Sequence, residues 1–216
     1  MPHILVAGKI HPSGVDLLKA APDVTFKLVD EVSELSYAAH ASKADAIVIR
    51  TQPLSAATIA SAPNLKIVSR HGVGYDAVDV KALTARRIPL AIVGDVNSRT
   101  VAEHTLMLML AAARRTVAHH LAATQGNWNE RNRFDAVELD GKRLLVLGFG
   151  RIGRRVAELA QAFGMQVTAH DPFLPAGQFA AHGVSAAETL HAALADADYV
   201  TVHLPGGNGP AIGAAE

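Results

Sequence analysis

Gly148-Phe149-Gly150-Arg151-Ile152-Gly153 follows directly on the apolar run Leu144-Leu145-Val146-Leu147. It opens a stretch in which Ile152, Val156, Leu159, Ala160 and Phe163 share one helical face, closed by Gly164. A strand that turns through three such glycines into a helix can hold two linked phosphates. Gly148 permits the tight turn, Gly150 lets the backbone approach a pyrophosphate, and Gly153 lets the helix pack closely on the strand. The helix start adds unpaired N–H groups and a partial positive charge, with Arg151 beside it. Asp171 stands at the end of the next apolar run, Met165 to Ala169, about 20 residues beyond the turn. A carboxylate there accepts both hydroxyls of an adenosine ribose and repels a 2′-phosphate, so the pattern predicts NAD rather than NADP as cofactor. The same carboxylate suits the cap of the Asp171-Pro172 turn, and one side chain can do both.

Strands and helices in alternation must position these residues. Short apolar runs at Ile4–Ala7, Val24–Phe26, Ala46–Ile49, Leu65–Val68 and Leu90–Val93 read as strands. Amphipathic stretches at Val15–Ala21, Leu35–Ser42, Ala56–Ser61 and Val78–Arg86 read as the helices between them. Runs so uniformly apolar predict a buried parallel sheet covered by helices on both faces, an α/β fold. A long helix starts near Thr100, where Thr100-Val101-Ala102-Glu103 fits a capping box, and from Leu106 to Ala113 it is apolar on every side, which asks for cover all round. The polar stretch Thr124–Asp140, with the one tryptophan, reads as an extended arm. Alternation then resumes with strands at Leu144–Leu147, Met165–Ala169 and Tyr199–Leu204 and helices at Arg151–Phe163 and Ala187–Leu194.

Composition narrows the function classes. The 216 residues carry 20 Lys plus Arg against 20 Asp plus Glu, a balance that gives no reason to expect nucleic acid as a partner. The longest apolar run, Leu106–Ala113, is far short of a membrane span, and no basic segment with an apolar signal core opens the chain, so a cytoplasmic protein without a membrane partner is expected. The chain has 0 cysteines, which rules out disulfides and thiol chemistry. Its 11 histidines include the adjacent pair His119-His120, which point in different directions on a helix, and no spacing resembles a metal site. Arg131, Arg133, Lys142, Arg143, Arg154 and Arg155 read as a solvated basic face.

Four segments together resemble the D-isomer-specific 2-hydroxyacid dehydrogenase family. They are Ser69-Arg70-His71-Gly72-Val73-Gly74-Tyr75-Asp76, Val101-Ala102-Glu103-His104, the Gly148–Gly153 turn with His170-Asp171-Pro172, and Ala197-Asp198-Tyr199-Val200-Thr201-Val202-His203-Leu204-Pro205. The resemblance implies a flavodoxin-like substrate domain over residues 1–98 and a Rossmann NAD-binding domain over 99–216, with the active site between them. It implies that Arg70, Gly72, Val73 and Gly74 bind the substrate carboxylate, with Val73 near the nicotinamide and Val101 where the domains meet. Gly148, Gly150, Arg151, Ile152 and Gly153 would face the pyrophosphate, Asp171 the ribose, and His203, Leu204 and Pro205 the adenine. The implied activity is reversible hydride transfer between NAD and a small D-2-hydroxy or 2-oxo acid, and the implied assembly is a homodimer.

The family's catalytic arginine, glutamate and histidine would follow the last of these segments, beyond Glu216, so the chain is expected to be C-terminally truncated and inactive by itself. Taking 144–147, 165–169 and 199–204 as the strands, only the 3-2-1 half of the 3-2-1-4-5-6 order is expected. The glycine-rich segment Gly206–Pro210 departs from the family pattern. Two other readings fit the same residues: a non-enzymatic NAD(H)-sensing scaffold of the corepressor kind, and an inactive truncated product.

Overall fold

The computed structural model of the chain describes residues 1–204. It divides into two compact units, Met1–Asp95 and Val96–Glu216.

In the first unit, strands β1 (His3–Ala7), β2 (Thr25–Val29), β3 (Ala46–Ile49), β4 (Ile67–Arg70) and β5 (Leu90–Ile92) alternate with helices α1 (Pro12–Ala20), α2 (Glu34–Ala41), α3 (Ala56–Ala60) and α4 (Val80–Ala85). The strands pair in parallel in the order β2-β1-β3-β4-β5, the flavodoxin-like order. Leu5, Ile47, Ile49 and Val68 bury their side chains with Tyr37, Leu54, Ile59 and Leu83, so the uniformly apolar runs do become the middle of the sheet. Polar groups tie the loop after β3 to α2. The Tyr37 hydroxyl donates to Pro53 O, the buried Gln52 amide donates to Glu31 O at 2.9 Å, and the Glu34 carboxylate accepts from Ser55 N at 2.8 Å.

The second unit opens with α5 (Ser98–Ala113) and α6 (Thr116–Thr124), continues through a 3-10 turn at Trp128–Arg133, and enters a second parallel sheet. Its elements are β6 (Arg143–Leu147), α7 (Arg151–Ala162), β7 (Gln166–His170), α8 (Ala176–Ala180), β8 (Ser185–Ala186), α9 (Leu190–Asp196) and β9 (Tyr199–Val202). The strand order is β8-β7-β6-β9. The α/β class and the Rossmann-like architecture are as the sequence predicts, but the place of the last strand is not. Residues 199–202 pair with Leu144–Leu147 on the side away from β7, which makes them the fourth strand of a 3-2-1-4 sheet. The third is the two-residue β8, which offers no apolar run to read. The crossover from β8 to β9 covers the inner edge that a 3-2-1 half would leave open, so β6 is paired on both sides.

Other expectations shift for identifiable reasons. No capping box forms at Thr100, because the helix already starts at Ser98 with Asn97 as its N-cap, and Glu103 pairs instead with Arg99 at 3.1 Å. The apolar run in α5 is one-sided: Ala102, Leu106, Met109 and Ala113 are buried with Val156, Ala157 and Ala160 of α7, whereas Met107 and Leu108 are about half exposed. The arm at 124–140 contains the 3-10 turn, and the helix expected at 187–194 is displaced to 190–196. Among the described residues no helix is long and apolar enough to cross a membrane.

Candidate cofactor site

β6 ends at Leu147, and Gly148 turns the chain with φ +86°. A side chain there would be strained by the backbone angle, and its Cβ would lie 2.7 Å from His203 O. Gly153, in the first turn of α7, is required by contact: a Cβ would lie 2.1 Å from Gly148 O and 3.2 Å from a Val146 methyl. Gly150 is different. It is the N-cap of α7 with φ −77°, an ordinary angle for any residue, and a Cβ on it meets nothing within 4 Å. Gly148 is therefore demanded by its backbone angle and by the chain that follows β9, and Gly153 by the packing of α7 on β6, while none of the described residues asks for the third. Its backbone is open on the outer side, next to the N–H groups at the start of α7, which have no intrahelical acceptor.

Asp171, just past β7, reaches the same turn. Its Oδ2 accepts from Phe149 N at 3.0 Å and its Oδ1 accepts from Phe173 N at 3.1 Å. The carboxylate thus caps its own turn and anchors the glycine loop, while each oxygen keeps lone-pair capacity for a ribose hydroxyl. Arg151 is exposed and Ile152 half-buried at the helix start. His203 and Leu204 follow β9, with His203 N donating to Leu147 O at 2.7 Å, so both come down beside Gly148. Pro205 and the glycine-rich segment 206–210 lie outside the described residues. Val101 is half-buried near the start of α5, its N–H donating to Asn97 O at 2.9 Å.

The His203 ring is partly buried, and burial pushes its pKa below the ordinary 6.5; Nε2 lies 2.9 Å from Thr201 Oγ1. The sign follows from linkage: the unfolded ring binds a proton more readily than the folded one. Stability contributed by the neutral ring is complete above about pH 6.5 and falls as pH drops toward the depressed folded value. Melting temperature measured against pH should therefore decline below pH ~6.5 in the wild type, and the decline should be shallower in His203→Gln. An identical slope in both would remove His203 as its source.

The sequence reading placed Arg154 on a solvated basic face; the structure corrects this. Arg154 Nε donates to Phe149 O at 3.0 Å, Nη2 donates to Gln178 Oε1 at 2.8 Å, and the guanidinium sits 5.7 Å from the centroid of the fully buried Phe149 ring. Arg143 and Arg133 do lie on the exposed surface, where they pair with Asp196 and Asp198, and with Asp135 and Glu130. One signal in the sequence pointed to the pairing of Arg154. A cation in the first turn of a helix opposes the macrodipole, so Arg154 needed a local partner.

In the first unit, the turn after β4 holds the residues expected at the substrate. Arg70 Nη1 donates to His71 O at 2.7 Å and lies over Gly72, where a Cβ would come within 2.5 Å of it. Burial, then the like charge of Arg50, lowers the Arg70 pKa, with Asp76 acting in the opposite sense. Gly72 N donates to Arg70 O at 2.8 Å, so this amide is used inside the turn and is not one of the donors offered outward. Val73 is half-buried and Gly74 exposed. A separate cavity of about 630 Å³, lined by Thr168, Thr189 and Ala192 among others, shares no residue with the glycine turn.

Comparison with known proteins agrees with this geometry. A family model described as "D-isomer specific 2-hydroxyacid dehydrogenase, NAD binding domain" matches residues 106–209. The D-3-phosphoglycerate dehydrogenase of Mycobacterium tuberculosis (strain ATCC 25618 / H37Rv) is 38% identical over 206 residues, which are 95% of this chain and 38% of that protein. The chain thus spans well under half the length of the curated relatives it matches. Among solved structures, the TT0316 protein from Thermus thermophilus superposes with a TM-score of 0.81 at 27% identity, covering 95% of this chain and 66% of that one. D-lactate dehydrogenase from Aquifex aeolicus, solved with NAD and lactic acid, shares the fold with a TM-score of 0.85 at 24% identity, over 94% of this chain and 61% of that one. The glycine turn, the Rossmann-like order around it and these matches lead to one assignment: the chain belongs to the D-isomer-specific 2-hydroxyacid dehydrogenase family, and its second unit carries that family's NAD-binding domain.

Proposed function

We propose that this chain carries the NAD site and the substrate-carboxylate turn of an oxidoreductase that moves a hydride between nicotinamide and a small D-2-hydroxy or 2-oxo acid. The single observation that carries the reading is the Asp171–Phe149 hydrogen bond of 3.0 Å, which joins the ribose-selecting carboxylate and the phosphate turn in one rigid corner. Bound NAD supplies the redox chemistry by accepting or returning the hydride.

The chain's own residues bind and orient. Gly150 gives the phosphates access to the backbone, and the first N–H groups of α7 neutralise them, with Arg151 adding charge. Asp171 takes the ribose hydroxyls. His203 and Leu204, beside Gly148, wall the adenine. Val101 holds the nicotinamide end. In the unit Met1–Asp95, Arg70 and the Val73-Gly74 backbone hold the substrate carboxylate; a cationic side chain with outward N–H groups is the complement of that group. The proton on the substrate hydroxyl needs a general acid/base, and none of residues 1–216 is assigned that role.

Calorimetric titration of the chain with NAD and with NADP tests the reading. A 2′-phosphate beside the Asp171 carboxylate meets like charge and loses the hydroxyl it would have donated, so NAD should bind at least about tenfold more tightly. Equal affinities would remove the role given to Asp171, and absence of binding by either would remove the site.

A further inference from the structure

We infer that Arg154, braced by Gln178, is a positioning residue for the cofactor's pyrophosphate: it fixes the peptide plane between Phe149 and Gly150 so that the Gly150 N–H faces the phosphates. This rests on the dinucleotide reading above.

The need for such a device comes from the sequence of the turn itself. Phe149 stands between two glycines, and glycine tolerates conformations closed to other residues, so the plane joining Phe149 to Gly150 has little intrinsic reason to hold one orientation. The two orientations are not equivalent for an anion. In a trans peptide the C=O and the following N–H point in opposite directions. One orientation offers the phosphates a donor, and the reverse offers them a carbonyl oxygen that repels them.

Three side chains decide between the two. Arg154 Nε donates to Phe149 O at 3.0 Å, holding that carbonyl on the Arg154 side. Gln178 Oε1, on α8, accepts from Arg154 Nη2 at 2.8 Å and so fixes the guanidinium in turn. Asp171 Oδ2 accepts from Phe149 N at 3.0 Å, which holds the preceding peptide. The Phe149 ring is fully buried, with its centroid 5.1 Å from that of Phe179, so the residue cannot swing as a unit to relieve the hold. Asp171, Gln178 and Phe179 all lie in the segment that follows β7. One connection therefore supplies the ribose acceptor and the brace for the phosphate turn.

The test is equilibrium titration of the full chain with three probes: NAD, ADP-ribose and adenosine. Arg154→Met removes a charge-assisted hydrogen bond and should weaken NAD and ADP-ribose about tenfold. Adenosine, which has no phosphate, should bind as to wild type. Arg154→Lys, which can still donate to the Phe149 carbonyl, should recover part of the loss. Arg155→Met is the control: Arg155 pairs with Glu158 on the surface, and its loss should leave all three affinities unchanged. Gln178→Leu, at an exposed position, should weaken NAD about threefold and spare adenosine; it carries the test if Arg154→Met does not fold. NAD affinity unchanged in Arg154→Met, or in Gln178→Leu where that variant stands in, would overturn the inference. So would an equal loss of NAD and adenosine, which would mark a purely structural role. A wild-type chain that binds no NAD would overturn the dinucleotide reading first, and this inference with it.

Discussion

Gly153→Ala should lower the stability of the second unit by about 3 kcal/mol or more. The added Cβ would lie 2.1 Å from Gly148 O, a backbone oxygen in the strand-to-helix turn that cannot rotate aside. Relief requires α7 to lift from β6. That movement parts Val156, Ala157 and Ala160 from the cluster they share with Leu144, Val146 and Phe149, the centre of this unit's core. Each large apolar side chain so exposed costs about 1.5–3 kcal/mol, so the strain is not absorbed by a small tilt. Chemical denaturation followed by circular dichroism measures the effect; a loss below about 1 kcal/mol would mean that the helix has slack that the packing does not suggest. NAD binding should disappear with the fold.

Gly150→Val should do the reverse. Its Cβ meets nothing within 4 Å and its φ of −77° is open to any residue. The expected loss of stability is only the difference in N-cap preference, about 1 kcal/mol or less. The branched side chain instead fills the space through which a pyrophosphate must approach the backbone. NAD should bind about a hundredfold more weakly. Two glycines of one motif, three residues apart, are thus expected to separate folding from binding.

Much of the arrangement can be read in the residues, for a reason that differs element by element. β1, β3 and β6 lie largely buried and so consist mostly of apolar runs, which survive as a signal without any knowledge of their partners. β8 could not be read: two residues, Ser185 and Ala186, are held in the sheet by Thr168 and Ala169 of β7, and that pairing is tertiary. Missing it moved the count by one and put 199–202 on the wrong side of β6. The connection through α9 carries the chain from the β8 edge to the far side of β6, where residues 199–202 pair. The start of α5 was obscured by a competing pattern, since Thr100 and Glu103 have capping spacing but sit inside the first turns of a helix begun at Ser98.

The site divides in the same way. The glycine spacing and Asp171 are legible because each answers a local requirement of backbone or charge. That Asp171 would bond Phe149 N depends on the distance between the ends of two adjacent strands, and the register Leu147 with His170 supplies it. Arg154 was misread because charge runs on helices are usually solvated. Its true contacts reach back to Phe149 and across to Gln178, a separation that no periodicity reveals. At the other turn, the bond from Gly72 N to Arg70 O is local, whereas the Arg70 side chain folding over Gly72 is a contact no spacing reveals.

Gly150 is expected to be glycine for a ligand's sake and not for the fold's. Side-by-side calorimetric titration of wild type and Gly150→Val with NAD, with the melting temperature of each recorded in the same samples, addresses it directly. Nearly equal melting temperatures without ligand are expected, with an affinity about a hundredfold lower in the variant. A variant that binds NAD as well as wild type, or that loses binding only because it has lost its structure, would contradict it.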